Sequence, residues 1–264
     1  MAGASSDRAD LDQPWARALP ARAARELIVC GLFNAIIRAY ARTEVTGREQ
    51  LRRLDGPAIF VANHCSHADT PVLLRALPRR LRRRTAVAAA ADYFYTGRLL
   101  ASAVSLAFCT VPLERRAGGR GIGSTAALEP LIDARWSLVV FAEGTRSRDG
   151  RVGPLLAGAA ALAVEHGLPL VPVHIAGTHA AMPAGRRWMT RPAGRRLARH
   201  ALRVSFGGPL RVAPGEDRFE VMERVRLFME ECGAQTTPDP KLAARRAAAA
   251  AAAETARVAQ GRSA

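Results

Sequence analysis

Short apolar runs alternate with longer amphipathic stretches through the middle of the chain. A short apolar run bounded by turn residues is typical of a buried strand, whereas apolar side chains that recur every three or four positions are typical of a helix. The runs that predict strands are residues 58–62, 138–141, 170–175 and 202–206. The stretches that predict helices are residues 71–77, 122–134 and 155–166. This alternation predicts an α/β fold in a single domain, with a central, mostly buried sheet flanked by helices.

An amphipathic stretch at about 21–42 precedes the first predicted strand. Its apolar side chains recur at helical spacing and arginines lie near both ends, as in Leu27, Ile28, Leu32, Phe33, Ile36, Ile37, Arg22, Arg25, Arg38 and Arg42. The pattern predicts an amphipathic N-terminal helix. Such a helix can pack on its own domain, or it can lie in the interface of a membrane with its arginines at anionic headgroups, and these alternatives are compatible.

The two ends of the chain differ in composition from its central part. We predict a flexible N-terminus at residues 1–20, a domain at residues 21–235 and an alanine- and arginine-rich tail at residues 236–264. Alanine has the highest helix propensity, but the tail has few apolar side chains to bury. We therefore expect the tail to be an exposed helix.

The chain is strongly basic, with a formal net charge of +16 and a pI near 11.4. This charge favours a partner that is nucleic acid, an anionic membrane surface or a phosphorylated substrate. Aromatic residues make up only 5% of the chain, and no zinc or helix-turn-helix signature accompanies the basic run at residues 79–84, which argues against nucleic acid. We expect that run to be either solvated surface or a contact with the membrane.

Cysteine spacing and hydropathy bear on the cellular setting. The four cysteines lie far apart without a CxxC pair, which argues against a zinc site or a disulfide framework. The chain has no run of about 20 apolar residues, and it does not begin with the order of residues that marks a signal peptide. All but Lys241 of the 39 basic residues are arginine, a bias that suggests a bacterial source. We expect a protein of a reducing, cytosolic setting.

A polar cluster follows the first predicted strand, with His64 and Asp69 five positions apart. On one continuous helix these side chains would lie about 140° apart around the axis, so they can meet only if a turn intervenes. The chain offers two such turns, because Ser66 and Asp69 match a capping box and Thr70 can cap a helix ahead of Pro71. Either turn places His64 at the edge of the sheet, beside the start of a helix.

This arrangement suits a general base. A carboxylate at Asp69 that accepts a hydrogen bond from one imidazole nitrogen fixes the tautomer and leaves the other nitrogen of His64 to remove a proton from a substrate hydroxyl. The logic is that of the catalytic triad without a protein nucleophile. The alternative is that Asn63, Ser66 and Asp69 only cap a helix and that His64 is an ordinary edge residue.

A second polar cluster begins at Glu143, after the strand predicted at residues 138–141. The carboxyl ends of strands in an α/β sheet are where ligand crevices form. Gly144 permits close approach of the backbone, and Thr145 and Arg146 offer donors suited to a phosphate group. The alternative is a plain turn between two elements.

Together the two clusters resemble the phospholipid/glycerol acyltransferase family, which includes the 1-acylglycerol-3-phosphate acyltransferases. The family's first block, Asn-His-x-Ser-x-x-Asp, matches Asn63, His64, Ser66 and Asp69. Its second block ends in an arginine that is thought to contact the acceptor's phosphate, and Arg115 stands at the corresponding place.

The third and fourth blocks of the family also resemble segments of this chain. The third block, Phe-Pro-Glu-Gly-Thr-Arg-Ser, matches Phe141 and residues 143–147, with Ala142 in place of its proline. The fourth block resembles the segment around Pro172, which the family assigns to the acyl-donor side of the site. The resemblance covers roughly residues 25–215.

The resemblance implies an enzyme that moves a fatty acyl group from acyl-CoA or acyl carrier protein to the free hydroxyl of a lysophospholipid. The foremost acceptor is 1-acylglycerol-3-phosphate, which gives phosphatidic acid in phospholipid biosynthesis, and no metal, cofactor or acyl-enzyme is implied. Catalysis falls to His64 as the base and Asp69 as its orienting partner. Substrate binding falls to Asn63, Ser66, Arg115, Glu143, Gly144, Thr145, Arg146 and Pro172.

Three alternatives stay open on the sequence. The acceptor can be another lyso-lipid or a glycolipid, water can replace the acceptor in an acyl-thioester hydrolase, or the chain can be a non-catalytic basic module that binds membranes. The partners that the resemblance implies are the acyl donor, the lysophospholipid and an anionic membrane surface, with no nucleic acid. The expected location is cytoplasmic, peripherally associated with the inner face of the cell membrane.

Overall fold

Seven strands in the described part of the chain form one sheet in the computed structural model. The structure describes residues 12–90, 98–113, 128–193, 197–213 and 215–240, together with 243–245, 247, 248 and 251. The strands are β1 (Ala41–Thr46), β2 (Ile59–Ala62), β3 (Thr85–Ala90), β4 (Thr110–Leu113), β5 (Ser137–Phe141), β6 (Leu170–Ala176) and β7 (His200–Phe206). Their order across the sheet is β1, β7, β6, β2, β5, β3, β4, and every neighbouring pair is parallel except β6 and β7.

Helices cover both faces of this sheet. The α-helices are α1 (Leu19–Leu27), α2 (Asn34–Tyr40), α3 (Asp69–Ala76), α4 (Arg79–Arg82), α5 (Arg98–Phe108), α6 (Glu129–Asp133), α7 (Gly158–His166), α8 (Thr178–Ala181) and α9 (Arg218–Glu231). A π-helical turn at Ile28–Phe33 joins α1 to α2, and 3-10 turns lie at Pro14–Arg17 and Arg48–Arg53. The predicted α/β domain, with a central sheet, flanking helices and an N-terminal helix, is confirmed.

The sheet is buried on both faces, which explains the unbroken apolar runs of its central strands. In β2 the side chain of Phe60 packs into one hydrophobic cluster, and those of Ile59 and Val61 pack into another. All three side chains are fully buried. The first cluster includes residues of α2 and α3, and the second includes residues of α6, α7 and α9. Each face of the sheet therefore has its own core.

The predicted helices are present with corrected bounds. Helix α3 begins two residues before its predicted start, and α7 begins three residues after. The delay of α7 has a physical cause, because the backbone N–H of Leu156 donates to the carbonyl of Ala142 at 2.8 Å and holds the chain out of helical conformation. Of the stretch predicted at 122–134, residues 129–133 form α6, and residues 122–127 lie outside the described part of the chain.

The four predicted strands are present as β2, β5, β6 and β7, within two residues of their predicted bounds. The sequence patterns do not predict β1, β3 or β4, nor the helices α5 and α9. Strand β1 is polar, β3 is rich in alanine, and β4 contains Pro112. Their strand conformation depends on pairing with neighbouring strands more than on local propensity.

A buried arginine ties α1 to the rest of the domain. The guanidinium of Arg25 donates hydrogen bonds to the carbonyl oxygens of Ala16, Ser105 and Leu106 at 2.6–3.1 Å. Ser105 and Leu106 lie in the last turn of α5, where the carbonyl of Ser105 also accepts from the N–H of Cys109 at 2.8 Å. Arg25 therefore caps α5 and fixes α1 against it.

The N-terminal helix presents apolar side chains in two directions. Ile37 is buried in the core and Phe33 and Ile36 pack against it, but Leu27 and Leu32 are 76% and 58% exposed. The π-helical turn adds a residue to one turn of the helix, so the apolar positions before and after it do not stay on a single face. None of the helices in the described ranges is both long enough and apolar enough to cross a membrane.

The basic run at residues 79–84 is partly structural. Arg82 is buried and forms an ion pair with Glu26 at 2.9 Å, and Arg80 donates to the carbonyl of Leu51. These contacts join α4 to α1 and to the 3-10 turn before β2. Arg79, Arg80 and Arg84 are exposed, so the expectation of solvated surface or membrane contact stays open for that part of the run, whereas Arg82 satisfies groups inside its own domain.

The first residues of the predicted tail pack on the domain. The N–H of Thr237 donates to the carbonyl of Val152 at 2.9 Å, and Thr236 forms a β-bridge with Val152. The guanidinium of Arg245 lies 3.7 Å from the ring centroid of Phe219. Residues 1–11 and 252–264 are outside the described ranges, so the flexible N-terminus stays a prediction for residues 1–11 and the exposed tail for residues 252–264. Residues 14–20, predicted to be flexible, instead include the 3-10 turn Pro14–Arg17 and the start of α1 at Leu19.

One edge of the sheet brings the polar clusters together. The carboxyl ends of the parallel strands β2, β5 and β6 lie at this edge, as is usual for ligand sites in α/β sheets. Because β7 is antiparallel to β6 and β1 is parallel to β7, the starts of β7 and β1 lie at the same edge. The segments that precede these two outer strands are therefore also near the predicted site.

The turn after β6 gives a test of the packing at this edge. Gly177 has a φ of 86°, and a Cβ there would lie 2.1 Å from the carbonyl oxygen of Ala201 in β7. We expect Gly177→Ala to lower the free energy of unfolding by about 2 kcal/mol or more, because it combines left-handed strain with a backbone clash.

The control is Gly185→Ala. Gly185 has a similar φ of 91°, but a Cβ there would meet nothing within 4 Å, so only the strain, about 1 kcal/mol, should be lost. Urea denaturation of the two variants measures the difference. Equal losses would show that the close approach of Gly177 to β7 does not matter for stability.

Candidate active site

His64 and Asp69 meet at the carboxyl end of β2, and we call them the dyad. The Nδ1 atom of His64 lies 2.8 Å from Oδ2 of Asp69. The chain turns between them, since β2 ends at Ala62 and α3 begins at Asp69 itself. The turn carries half of the predicted capping box, because the N–H of Ser66 donates to the Asp69 carboxylate at 2.8 Å.

Asp69 is completely buried. Besides His64, its Oδ2 accepts hydrogen bonds from the backbone N–H groups of Cys65 at 2.7 Å and Ser66 at 2.8 Å. A buried carboxylate without such donors would be strongly destabilising. The donors hold the carboxylate in one orientation and thereby fix the position of the imidazole.

The hydrogen bond to Asp69 determines which nitrogen of His64 can act as a base. An ionised carboxylate can only accept, so Nδ1 carries the proton and Nε2 is left as an acceptor. The ring of Phe141 stacks on the imidazole, with centroids 4.1 Å apart and 21° between the planes. The side chain of His64 is still 19% exposed. The base is therefore fixed in orientation but open to a substrate.

Asn63 and Ser66 are buried and connect the dyad loop to neighbouring elements. The side-chain amide of Asn63 donates to the carbonyl of Ile175 at 3.0 Å and accepts from the N–H of the same residue at 2.8 Å. The hydroxyl of Ser66 donates to the carbonyl of Met182 at 2.7 Å and accepts from the N–H of Ala68 at 3.0 Å. These contacts position the loop, and the substrate-binding role of both residues stays a prediction.

Glu143 holds the backbone of the candidate base. Its Oε1 accepts from the N–H of His64 and its Oε2 from the N–H of Gly153, both at 2.8 Å. The N–H of Ser147 donates to the carbonyl of His64, also at 2.8 Å. Burial raises the pKa of Glu143 to about 7, although the two backbone donors act in the opposite direction. Glu143 thus fixes the backbone of His64, and its contact with a substrate phosphate stays a prediction.

Gly144, Thr145 and Arg146 form the turn after Glu143 and line a cavity beside the dyad. Gly144 has a φ of 70°, and a Cβ there would lie 2.8 Å from Cδ1 of Leu156. A side chain at this position would therefore be strained and would displace its neighbour. The tight turn places Thr145 and Arg146 in the lining of the same cavity as His64, and their contact with a substrate phosphate stays a prediction.

The cavity has a volume of about 390 Å³. His64, His67 and Arg146 contribute to its polar side. Its apolar walls come from the π-helical turn and α2, from α5 and from the end of β5, and include Phe33, Ile36, Ile37, Val104, Phe108 and Phe141. A mainly apolar pocket with a few convergent polar groups is typical of a small-molecule binding site.

His67 is a site residue that the sequence analysis did not assign. Its Nε2 accepts a hydrogen bond from Nη1 of Arg146. Burial, followed by the charge of Arg146, lowers the pKa of His67 to about 4, so the ring is neutral near pH 7 and able to accept. Spacing along the chain carries no signal for this contact, because it joins the loop after β2 to the loop after β5.

The substrate-binding roles of Arg115 and Pro172 also stay predictions. Arg115 lies outside the described residues, two positions beyond Leu113, which ends β4 and lines the cavity. Pro172 is buried in β6, and its carbonyl accepts from the N–H of Gly207 at 2.9 Å, just beyond the end of β7 at Phe206. Proline has no N–H to donate, so a place at the end of this ladder suits it.

The raised pKa of Glu143 gives a test based on stability. Since the pKa is about 7 in the folded state and 4.5 ordinarily, the folded protein binds this proton more tightly than the unfolded chain does. The resulting stability is fully present below about pH 4.5 and is lost as the pH rises through about 7. Relative to Glu143→Gln, the wild-type free energy of unfolding should fall by about 2 kcal/mol between pH 5 and pH 8.

Urea unfolding of the wild type and Glu143→Gln at both pH values measures this change. Glu143→Gln is the control for the wild type, because it keeps the other titrating groups and removes only the carboxyl of Glu143. A difference between the two proteins that stays constant with pH would contradict the raised pKa.

Comparison with known proteins extends these observations. A family model described as Acyltransferase matches residues 42–176. The chain is 27% identical over 197 residues to the chloroplastic 1-acyl-sn-glycerol-3-phosphate acyltransferase of Brassica napus, covering 72% of this chain and 53% of that protein. It is 32% identical over 143 residues to the 1-acyl-sn-glycerol-3-phosphate acyltransferase of Limnanthes alba, covering 54% of this chain and 48% of that protein. The chain thus spans about half the length of the curated relatives it matches.

The fold also matches a solved structure. The crystal structure of the 1-acyl-sn-glycerophosphate acyltransferase of Thermotoga maritima superimposes with a TM-score of 0.58, covering 88% of each chain at 23% identity. At that identity the likeness concerns the fold. The match to the family model, in contrast, includes both the dyad and the turn that begins at Glu143. The chain belongs to the acyltransferase family.

Proposed function

We propose that this protein transfers a fatty acyl group from a thioester, acyl-CoA or acyl carrier protein, to the free hydroxyl of 1-acylglycerol-3-phosphate. The product is phosphatidic acid, an intermediate of phospholipid biosynthesis. The observation that carries the proposal is the dyad beside an apolar cavity whose polar side contains Arg146. The names of the related proteins support this acceptor.

The dyad supplies the acid–base chemistry. Nε2 of His64 removes the proton from the acceptor hydroxyl as the hydroxyl oxygen attacks the carbonyl carbon of the thioester, and Asp69 stabilises the imidazolium that forms. When the tetrahedral intermediate collapses, the carbon–sulfur bond breaks and the leaving thiolate takes the proton from Nε2. An ester and a free thiol are formed, and His64 returns to its starting state.

In the proposed complex Arg146 binds the phosphate of the acceptor. Its guanidinium can donate to two phosphate oxygens, and its contact with His67 limits the directions in which it can point. Holding the phosphate fixes the position of the nearby hydroxyl, which makes the attack effectively unimolecular. The fatty chains lie against the apolar walls that α2 and α5 supply.

We place the protein at the cytoplasmic face of a membrane. Leu27 and Leu32 are exposed on the N-terminal helix, and Leu99 and Leu100 are 90% and 52% exposed at the start of α5, the helix that Arg25 ties to α1. Exposed leucines on two helices that contact each other are suited to burial at the boundary of headgroups and acyl chains. The net charge of +16 attracts the protein to anionic lipid.

The proposed reaction is tested by thiol release from palmitoyl-CoA, or from palmitoyl-acyl carrier protein, with and without 1-acylglycerol-3-phosphate. We expect release that requires the acceptor and yields phosphatidic acid on chromatography. His64→Ala should abolish it, and Asp69→Asn should lower kcat by about 10³- to 10⁴-fold, because the wrong imidazole tautomer is favoured. Release without the acceptor would identify a hydrolase, and full activity of His64→Ala would contradict the role of the dyad.

A second prediction concerns the contact between His67 and Arg146. His67→Leu should raise the KM for the lysophospholipid by about tenfold with little change in kcat. The reason is that Arg146 loses the hydrogen bond to Nε2 of His67, which helps to orient its guanidinium. His67→Gln offers an oxygen near the place of Nε2 and should restore most of the affinity. Initial rates over a range of acceptor concentrations measure both parameters. A loss confined to kcat, or a Gln variant as poor as the Leu variant, would show that His67 does not act through Arg146.

A further inference from the structure

A second cavity is lined mainly by arginine. Its volume is about 310 Å³, and it is lined by Arg38, Ala41, Arg42, Thr43, Arg75 and Arg199. None of these residues lines the cavity beside the dyad. We call this second space the arginine cavity.

The arginine cavity lies where the two outer strands β1 and β7 begin. Arg42 and Thr43 are neighbours in β1, so their side chains point to opposite faces, and a space that both line must lie at the margin of the sheet. Arg199 directly precedes β7, and Arg38 and Arg75 lie in the last turns of α2 and α3. The starts of β1 and β7 share the sheet edge with the dyad, with β6 and β7 between β1 and β2.

Four arginines and no carboxylate side chain line this cavity, with Arg75 half-buried and Arg38, Arg42 and Arg199 exposed around it. None of the ion pairs found in the described residues includes any of the four arginines. Arg75 donates to the amide oxygen of Asn34 at 2.8 Å, and Arg199 donates to the carbonyl of Arg38 at 3.2 Å. Burial, followed by the charge of Arg38, lowers the pKa of Arg75. Like charges oriented by neutral acceptors are more stable when an anion lies between them.

Two polar atoms of the lining residues are buried and lack a hydrogen-bond partner in the described structure. They are the Nε of Arg75 and the hydroxyl of Thr43. Both atoms can donate, and an unpaired buried donor lowers the stability of the folded state. Since Arg75 and Thr43 both line the cavity, an anion bound there lies next to the side chains that carry these donors.

We propose that the arginine cavity is a phosphate-binding site, separate from the site beside the dyad. A phosphate group presents several acceptor oxygens in a tetrahedral arrangement, which suits the forked donors of several guanidinium groups and one hydroxyl. The ligand is a phosphate group, presented either by a lipid headgroup or by the free ion. The site does not depend on the proposed acyl transfer, because it shares no residue with that machinery.

Calorimetric titration with inorganic phosphate tests the site directly. The titrated protein is the full chain with Arg146→Gln, a substitution that removes the arginine proposed to bind phosphate beside the dyad. We expect phosphate still to bind, and the further pair Arg42→Gln and Arg199→Gln should weaken binding by about tenfold or more, because charged hydrogen bonds are lost. The matched control carries Arg52→Gln and Arg53→Gln, two exposed arginines of a 3-10 turn outside the cavity, and should bind as before.

Thr43→Val separates ligand binding from folding. The substitution keeps the shape of the side chain and removes a buried hydroxyl without a partner, so the ligand-free protein should unfold at the same temperature or a higher one. Phosphate should then raise the unfolding temperature less than it does in the wild type. A variant that keeps the full response to phosphate would overturn the role of this hydroxyl.

Vesicle sedimentation distinguishes the two sources of phosphate. Phosphatidylcholine vesicles with phosphatidic acid are compared with vesicles of phosphatidylcholine alone. If the cavity binds a lipid headgroup, the Arg42→Gln, Arg199→Gln protein binds the phosphatidic-acid vesicles less well than the Arg52→Gln, Arg53→Gln control. If the cavity binds the free ion, the two proteins bind vesicles equally and differ only in their affinity for inorganic phosphate.

Two results would overturn the proposal. One is equal phosphate affinity in the Arg42→Gln, Arg199→Gln protein and the Arg52→Gln, Arg53→Gln control. Phosphate would then respond only to the net charge of the protein. The other is loss of all phosphate binding with Arg146→Gln, which would place the phosphate beside the dyad alone. Neither readout involves acyl transfer, so failure of the proposed enzymatic activity leaves this test unaffected.

Discussion

The buried carboxylate of Asp69 determines the structure around the candidate site. Its hydrogen-bond donors all come from His64, Cys65 and Ser66, the residues that lead from β2 toward α3. Removing a charge from water is so unfavourable that the chain must fold back on itself to supply them. Because the imidazole of His64 is one of the donors, the hydrogen bond that helps to satisfy the buried charge of Asp69 also orients His64 as the base.

The loop that carries the dyad is held by side chains and backbone groups from several directions. Glu143 binds its backbone from the end of β5, and Asn63 binds Ile175 near the end of β6. Ser66 binds the carbonyl of Met182, just after α8. The position of His64 therefore depends on strands that are distant in sequence and adjacent in the sheet. Such support from outside the reacting groups is what keeps a catalytic geometry fixed before the substrate arrives.

Features of this fold that depend on local contacts are predictable from the sequence, whereas those that depend on distant contacts are not. The central strands are predictable because burial on both faces leaves an unbroken apolar run, and the turn between His64 and Asp69 is predictable because a helix would separate them. Strands such as β1 and β3 take their conformation from their neighbours, and alanine or polar residues give no local signal for it. The contact of His67 with Arg146 requires knowledge of strand order. The buried ion pair of Arg82 is equally invisible in a run in which every residue but Leu81 is arginine.

The π-helical turn at Ile28–Phe33 gives one continuous helix two working surfaces. An additional residue in a turn changes the rotation between the segments on either side by about 100°, compared with an uninterrupted α-helix. Ile36 and Ile37, beyond the turn, can then form a wall of the cavity, while Leu27, before it, faces outward. The angle between the surface that contacts the ligand and the surface that faces outward is thus set by a residue count. Adding or deleting one residue in this turn would rotate one surface relative to the other without changing the composition of either.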